Sequence, residues 1–369
     1  MIHVLSVFGT RPEAIKMAPL LCELQKRPQI RSSVCVTAQH RDMLDQVLEV
    51  FGIRPDYDLN LMQQGQSLSA ITSGVLLGLA PVLAQSKPDL LLVHGDTSSC
   101  LAAALAAYYA RIPIGHVEAG LRSGDKYRPF PEEINRQLTD RLSDLLFAPT
   151  AQSRENLLRE GIADETITVT GNTVIDAMAT TVRPSFRHPA LDGLAPDTRL
   201  VLVTAHRRES LGAPLRRIFR AVRRLSLLFP DLLILCPLHK NPAVRAAARE
   251  MLGGCAGVRL VEPLDPLAFH NVLARSTLVL TDSGGIQEEA AALHRPVLVL
   301  RDTTERPEGV ASGALRLVGT GEEDILREAR RLLTDPEAYQ AMCRAPNPFG
   351  DGKASLRIAD KIEAFAASV

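Results

Sequence analysis

Short apolar runs alternate with longer amphipathic stretches along the whole chain. Ile2–Phe8, Ser33–Ala38, Leu90–His94, Ile114–Val117, Leu145–Ala148 and Ile167–Thr170 are apolar almost throughout, not at every second position. That pattern predicts strands covered on both faces, as in a parallel sheet. Helix-length stretches lie between them, among them Ala14–Lys26, Met43–Phe51, Leu68–Gln85 and Ser99–Tyr109. Such alternation reads as βαβ units. It breaks at residues 183–198, where Pro184, Pro189 and Pro196 punctuate a stretch of little periodicity, which we read as a linker. It resumes with Leu200–Thr204, Leu232–Cys236, Val258–Val261, Leu278–Thr281, Val297–Leu300 and Leu315–Val318. The expectation is an α/β protein of two doubly wound, Rossmann-like domains, residues 1–182 and 199–352, with their strand ends facing a central cleft.

Composition narrows the class. A chain of 369 residues exceeds one ordinary core, and a hydrophobic share of 46% with 23% charged suits a soluble globular protein. Lys plus Arg and Asp plus Glu both number 42, so the formal net charge is zero, which argues against a nucleic-acid binder. With no Trp, a stacking platform for bases is not expected. None of the six cysteines sits in a C-x-x-C pair, so reduced thiols and a cytoplasmic location are expected. Met1–Phe8 lacks a basic flank and reads as a first strand, not a signal peptide. By inspection no apolar run approaches the ~20 residues of a membrane span, so none is expected.

Ligands of open parallel sheets bind outside the carboxyl ends of the strands, so the residues after each strand carry the functional question. Gly9-Thr10-Arg11-Pro12-Glu13-Ala14-Ile15-Lys16 reads as a strand-to-helix turn whose two cations and helix start suit an anion. An ordinary helix start with solvated cations explains it about as well. It is not the G-x-G-x-x-G of a dinucleotide site. In Asp282-Ser283-Gly284-Gly285-Ile286-Gln287-Glu288-Glu289, small residues at a helix start can offer N–H groups to a diphosphate. Glu289, one turn down, can accept from a ribose diol. Asp96, Glu118 and Glu132 follow or adjoin strand ends of one sheet, as general acid–base groups would. Glu133 reads instead as part of an ordinary first helical turn. His206-Arg207-Arg208-Glu209, His239 and Arg306 are the second half's ionisable groups, and Arg306 suits a phosphate or a neighbouring acid. No H-x₃-H spacing or cysteine cluster suggests a metal.

Together these blocks resemble the non-hydrolysing UDP-N-acetylglucosamine 2-epimerases. The resemblance rests on Gly9–Lys16, His116-Val117-Glu118-Ala119-Gly120-Leu121-Arg122, Pro131-Glu132-Glu133, Gly171-Asn172-Thr173-Val174, His206–Glu209, Asp282–Glu288, Arg301–Glu308 and Asn347–Gly352. It implies a GT-B-like fold, a homodimer, and a final helix, residues 353–369, crossing back to the first domain. It implies epimerisation of UDP-GlcNAc at C2 by elimination of UDP to 2-acetamidoglucal and re-addition. It further implies that no cofactor, metal, nucleic acid or membrane takes part and that UDP-ManNAc serves bacterial cell-surface polysaccharide. By matching motifs, Asp96, Glu118, Glu132 and His206 carry over as catalytic groups, His206 touching the leaving group. Arg11 and Lys16 carry over to the diphosphate, and Ser283, Gly284, Gly285, Glu289, Arg306 and Phe269 to UDP. Some relatives bind a second, activating UDP-GlcNAc, and Gln39, His40, Gln66, Arg207 and His239 match positions used there. Asp42, Gly65 and Pro266 depart from the pattern of those activated relatives. The rival readings are a hydrolysing epimerase, a GT-B glycosyltransferase and a non-catalytic UDP-sugar sensor.

Overall fold

The computed structural model describes residues 1–37, 41–61, 65–193 and 198–367. Gln39, His40 and residues 194–197 of the expected linker lie outside the described residues. The chain divides into two compact units, Met1–Ala179 with Gly350–Val369, and Thr180–Phe349.

The first unit alternates β1 (Ile2–Phe8), α1 (Arg11–Leu24), β2 (Ile30–Val36), α2 (Arg41–Phe51), β3 (Tyr57–Asp58), α3 (Leu68–Ser86), β4 (Leu90–His94), α4 (Ser98–Tyr109), β5 (Ile114–Val117), α5 (Glu132–Leu142), β6 (Leu145–Ala148), α6 (Ala151–Arg159), β7 (Ile167–Val169) and α7 (Thr173–Thr181), whose last two residues already belong to the second unit. Its strands are all parallel, in the order β3-β2-β1-β4-β5-β6-β7. The second unit runs β8 (Arg199–Thr204), α8 (Ala213–Leu228), β9 (Leu232–Pro237), α9 (Pro242–Leu252), β10 (Val258–Val261), α10 (Pro266–Arg275), β11 (Leu278–Thr281), α11 (Gly284–Ala292), β12 (Val297–Val299), α12 (Pro307–Ala311), β13 (Leu315–Leu317), α13 (Glu322–Thr334) and α14 (Pro336–Cys343). Its parallel order is β10-β9-β8-β11-β12-β13. Both sheets therefore reverse direction of growth at one place, between β1 and β4 and between β8 and β11. That switch point is where an open α/β sheet leaves a crevice for ligand.

Each sheet is buried on both faces, as the continuous apolar runs require. In the first unit Val4, Phe8, Met17, Leu20 and Val36 fill one side, and Leu5, Val7, Leu79, Leu91 and the alanines of α4 fill the other. A last helix, α15 (Ala354–Ala366), buries Ile358, Ala359 and Ile362 in the α1 side of this core. Its start is held by Asp176, whose carboxylate accepts from the N–H of Ala354 at 3.2 Å and of Ser355 at 2.8 Å. In the second unit Val201, Val203, Phe219, Val222, Ile234 and Leu280 form the main core.

Three features depart from the sequence expectation. β3 is only two residues, paired with Cys35 and Val36, too short to show any periodicity. β2 starts at Ile30, because Arg31 and Ser32 interrupt its apolar run without breaking the ladder. The third departure is α3, a 19-residue helix with an 18-residue window of mean hydropathy 1.6, long and apolar enough to cross a membrane by those measures alone. Scattered Ser, Thr, Gly and Pro hide that continuity in the sequence. Its Ile71, Val75, Leu79, Val82 and Leu83 are buried in the unit's own core.

Candidate active site

The sequence folds the β1 turn tightly for identifiable reasons. Thr10 caps α1, and Glu13 reaches back so that its Oε2 accepts from the N–H of Gly9 at 3.0 Å and of Thr10 at 2.7 Å. This is a capping box, worth about 1 kcal/mol. The second Glu13 oxygen accepts from Thr97 Oγ1 at 2.6 Å, tying the β1 turn to the β4 turn. Gly9 has to be glycine, since a Cβ there would collide with Thr37 Oγ1.

Across this crevice the structure assembles alternating charges. Arg136, buried on α5, donates to the carboxylate of Asp96 and to the carbonyl of Glu118, and its guanidinium lies 3.3 Å from Glu118 Oε2. Lys16, one turn into α1, is hydrogen-bonded to Glu118 Oε1, which also accepts from Asn172 Nδ2 at 3.2 Å. Burial alone would push the Glu118 carboxyl up, but the Lys16 and Arg136 charges outweigh it and hold it well below the usual carboxylate range. Its backbone sits at φ +68°, a strained conformation for a residue with a Cβ. Surrounding bonds must maintain that conformation, and strain of this kind concentrates at functional sites.

His94 closes β4 with both ring nitrogens buried and without a hydrogen-bond partner among the described residues, 4.0 Å from Glu118 Oε2. Glu132 is the first residue of α5, one turn before Arg136, and Arg11 is the first of α1. Glu133 is spent on structure, accepting from the N–H of Ser123 at 2.9 Å and of Gly124 at 3.2 Å.

The second unit builds its crevice differently. Asp282, fully buried after β11, accepts from the N–H of His206 at 2.8 Å and of Arg207 at 2.9 Å, fixing the β8 turn. The His206 ring lies 3.3 Å from Asp282 and stacks on the His239 ring with centroids 5.0 Å apart. Burial pushes the His206 imidazole down; Asp282 opposes this, while His239 and Arg207 add to it. The β8 turn thus brings three sequence candidates together.

α11 opens at Gly284 with Ser283 as its cap residue, so its first N–H groups point out of the helix end. A Cβ on Gly284 would sit 2.5 Å from the Arg306 guanidinium, so only glycine lets this cation lie against the helix start. Arg306 is held there by Glu288 at 2.7 Å, and Thr304 donates to Gln287 at 2.8 Å. Arg301 and Arg306 outweigh burial and hold Glu305 at about 2. Glu289 projects from the same helix, 3.8 Å from His270 Nε2, with Phe269 half-buried just before that histidine. Gln66 is turned inward onto the Leu61 carbonyl at 2.7 Å.

Sequence reasoning missed Arg136, His94, Gln287 and Glu288. Arg136 carried one available signal, since it lies four residues after Glu132 and so on the same helical face. Gln287 and Glu288 lie inside the Asp282–Glu288 block, but nothing local shows their roles, because their partners are 17 and 18 residues away in the β12 loop.

The buried histidines set a pH dependence. Burial pushes His94 down to about 3 and His270 to about 4, while an unfolded chain titrates them near ~6.5. Between those values only the unfolded chain takes up the protons. Stability is therefore full above about pH 6.5 and falls as pH drops towards 4, by up to about 1.4 kcal/mol per pH unit per histidine. Urea unfolding at pH 7, 6 and 5 should show falling midpoints, with a shallower fall in His94→Gln. An equal slope in that variant would contradict the assignment.

Known proteins resemble this chain in sequence and in fold. A family model described as UDP-N-acetylglucosamine 2-epimerase matches residues 22–363. The UDP-N-acetylglucosamine 2-epimerase of Bacillus subtilis is 55% identical over 361 residues, 98% of this chain and 95% of its own. The crystal structure of UDP-GlcNAc 2-epimerase from Neisseria meningitidis bound to UDP-GlcNAc superposes with a TM-score of 0.93 at 47% identity, covering 98% of this chain and all of the other. The kitacinnamycin glycotransferase shares the fold alone, with a TM-score of 0.67 at 13% identity and 98% of each chain covered. With the crevice residues in place and this similarity spanning nearly its whole length, the chain belongs to the UDP-N-acetylglucosamine 2-epimerase family.

Proposed function

We propose that the chain interconverts UDP-GlcNAc and UDP-ManNAc without hydrolysis, by eliminating UDP across C1 and C2 and adding it back. The observation that supports this most is the Lys16–Glu118–Arg136–Asp96 cluster at the first unit's switch point. The C2–H bond is not acidic enough for simple deprotonation, so departure of the C1 substituent has to assist. A base takes the C2 proton, the C2–H electron pair forms the C1=C2 double bond, and the C1–O pair leaves with UDP. That yields 2-acetamidoglucal. In return, a proton reaches the opposite face of C2 while a UDP oxygen adds to C1. The cycle consumes no oxidant and needs acids, bases and an anion hold.

Asp96, Glu118 and Glu132 are the acid–base set in this reading. Arg11 and Lys16 meet the diphosphate, and His206 meets the leaving oxygen. Lys16 has a double use. Once drawn to a diphosphate it no longer depresses Glu118, whose proton affinity then rises towards that of a working base. In the second unit, Ser283, Gly284 and Gly285 at the α11 start, with Arg306 beside them, hold the phosphates. Glu289 takes the ribose diol and Phe269 the uracil side. His206, whose proton affinity burial lowers in the free protein, gains proton affinity beside an anion. His239 and Arg207 adjoin His206, so a second UDP-GlcNAc bound at His239 would be felt by its ring.

The experiment that tests the bond cleavage uses UDP-GlcNAc carrying oxygen-18 in the C1–O–P bridge. Free rotation of the released phosphate should scramble the label into non-bridging positions of recovered substrate. Epimerisation with the label kept in the bridge would overturn elimination.

A homodimer in the cytoplasm completes the reading, with UDP-ManNAc serving cell-surface polysaccharide. Leu77 on α3 and the adjoining Tyr108 and Tyr109 on α4, at 73%, 57% and 65% exposure, are large apolar side chains that a second copy could cover. All six cysteines are unpaired, as in a reducing compartment. Light scattering at the mass of one 40.1 kDa chain would overturn the dimer.

A further inference from the structure

The turn that carries Glu118 is braced from behind by His116 and Arg122, to which the motif containing them gives no role, and by Asp140, which lies in no motif. His116, wholly buried on β5, faces two oxygens. Its Nε2 donates to the Gly95 carbonyl at 2.7 Å, and its Nδ1 lies 2.6 Å from Asp140 Oδ1. The other Asp140 oxygen accepts from the N–H of Gly120 at 3.2 Å and pairs with Arg122 at 2.7 Å. Both oxygens of this buried side chain are thus spent as acceptors, which suits a carboxylate. Burial pushes Asp140 up, but His116 and Arg122 outweigh it and hold it below the ordinary range. Arg122 is itself anchored outward, its Nε donating to Glu160 at 2.7 Å.

The groups being gripped are informative. The Gly95 carbonyl belongs to the peptide that leads into Asp96. The Gly120 N–H ends the turn in which Glu118 sits at φ +68°. One buried pair therefore ties together the two turns that present Asp96 and Glu118. Well-packed apolar residues would stabilise this spot at least as well as an ion pair, so stability alone does not account for it. Strained backbone persists only where its surroundings over-determine it.

We propose that His116 and Asp140 are a positioning pair that sets the placement of Asp96 relative to Glu118, with Arg122 fixing Asp140 from outside. The proposal rests on the reading of Asp96 and Glu118 as acid–base groups.

Asp140→Asn keeps the shape but must turn an NH₂ towards one set of donors, either His116 or Gly120 with Arg122. Turnover should fall about 10- to 100-fold, as for other outer partners of reacting groups. KM and UDP affinity should stay within about threefold, and circular dichroism should be native. Added to Asp96→Asn, Asp140→Asn should cost little more, because both act through one carboxylate. A folded Asp140→Asn with wild-type turnover, or full multiplication of the two losses, would overturn the proposal. Should Asp140→Asn fail to fold, Arg122→Gln removes only the outer hold. It should lower kcat severalfold at unchanged KM, and an unchanged kcat would equally overturn the proposal. Wild-type turnover in Asp96→Asn itself would mark failure of the acid–base reading beneath it.

Discussion

Asp96→Asn, Glu118→Gln and Glu132→Gln are each expected to lower turnover by about 10²–10⁴ while UDP affinity changes by less than a few-fold. Each substitution keeps the side-chain outline and removes a group able to carry a proton, and general acid–base catalysis is worth about that much. Unequal losses are expected within the set. Asp96 is paired with Arg136, whereas Glu118 meets Lys16, Arg136 and Asn172 together. The amide introduced by Glu118→Gln would point a donor at one of those donors, so this variant should also lose stability. The check is a coupled epimerase assay alongside titration calorimetry with UDP. Near-wild-type turnover in all three variants would show that the acids do no chemistry.

Arg306→Ala and Glu289→Gln should separate grip from chemistry in the second unit. Glu289→Gln would remove the charge-assisted bond to the ribose diol proposed above. That costs about 1.5–3 kcal/mol, or roughly one to two decades in Kd for UDP. Arg306→Ala should weaken UDP as much and also destabilise, because Arg306 is only 9% exposed and is bound to Glu288. Breaking a buried pair from one side costs about 3–5 kcal/mol. Arg306→Lys should recover part of the affinity. Urea unfolding and UDP calorimetry on the three variants provide the test. A fully stable Arg306→Ala would mean that the Glu288 pair is not what holds the loop.

Much of this is legible in the chain alone. Strands buried on both faces announce themselves as unbroken apolar runs, so the two sheets and the residues at their ends can be named. Asp96, Glu118, His206 and Ser283 stand out because each follows a strand end, and the fold brings those ends to the two switch points or one strand beside them. The order of strands is not legible, since parallel register is set by crossover packing and leaves no local pattern. Nor are the residues that aim the others. Arg136 looks like a solvated helix cation, and Glu288 looks like one more acid on an acidic helix. His116 and Asp140 are 24 residues apart, and only the fold makes them neighbours. Glu13 shows the opposite case: its spacing from Thr10 is a local capping signal, yet its reach to Thr97 is not.

The central claim is that UDP leaves C1 and returns, with a proton exchanged at C2. Proton NMR of UDP-GlcNAc incubated with the pure protein in D₂O observes both events at once. A second set of sugar signals from UDP-ManNAc is expected, with deuterium replacing the C2 proton in both epimers. Release of free N-acetylmannosamine and UDP, or an unchanged substrate with its C2 proton intact, would contradict it.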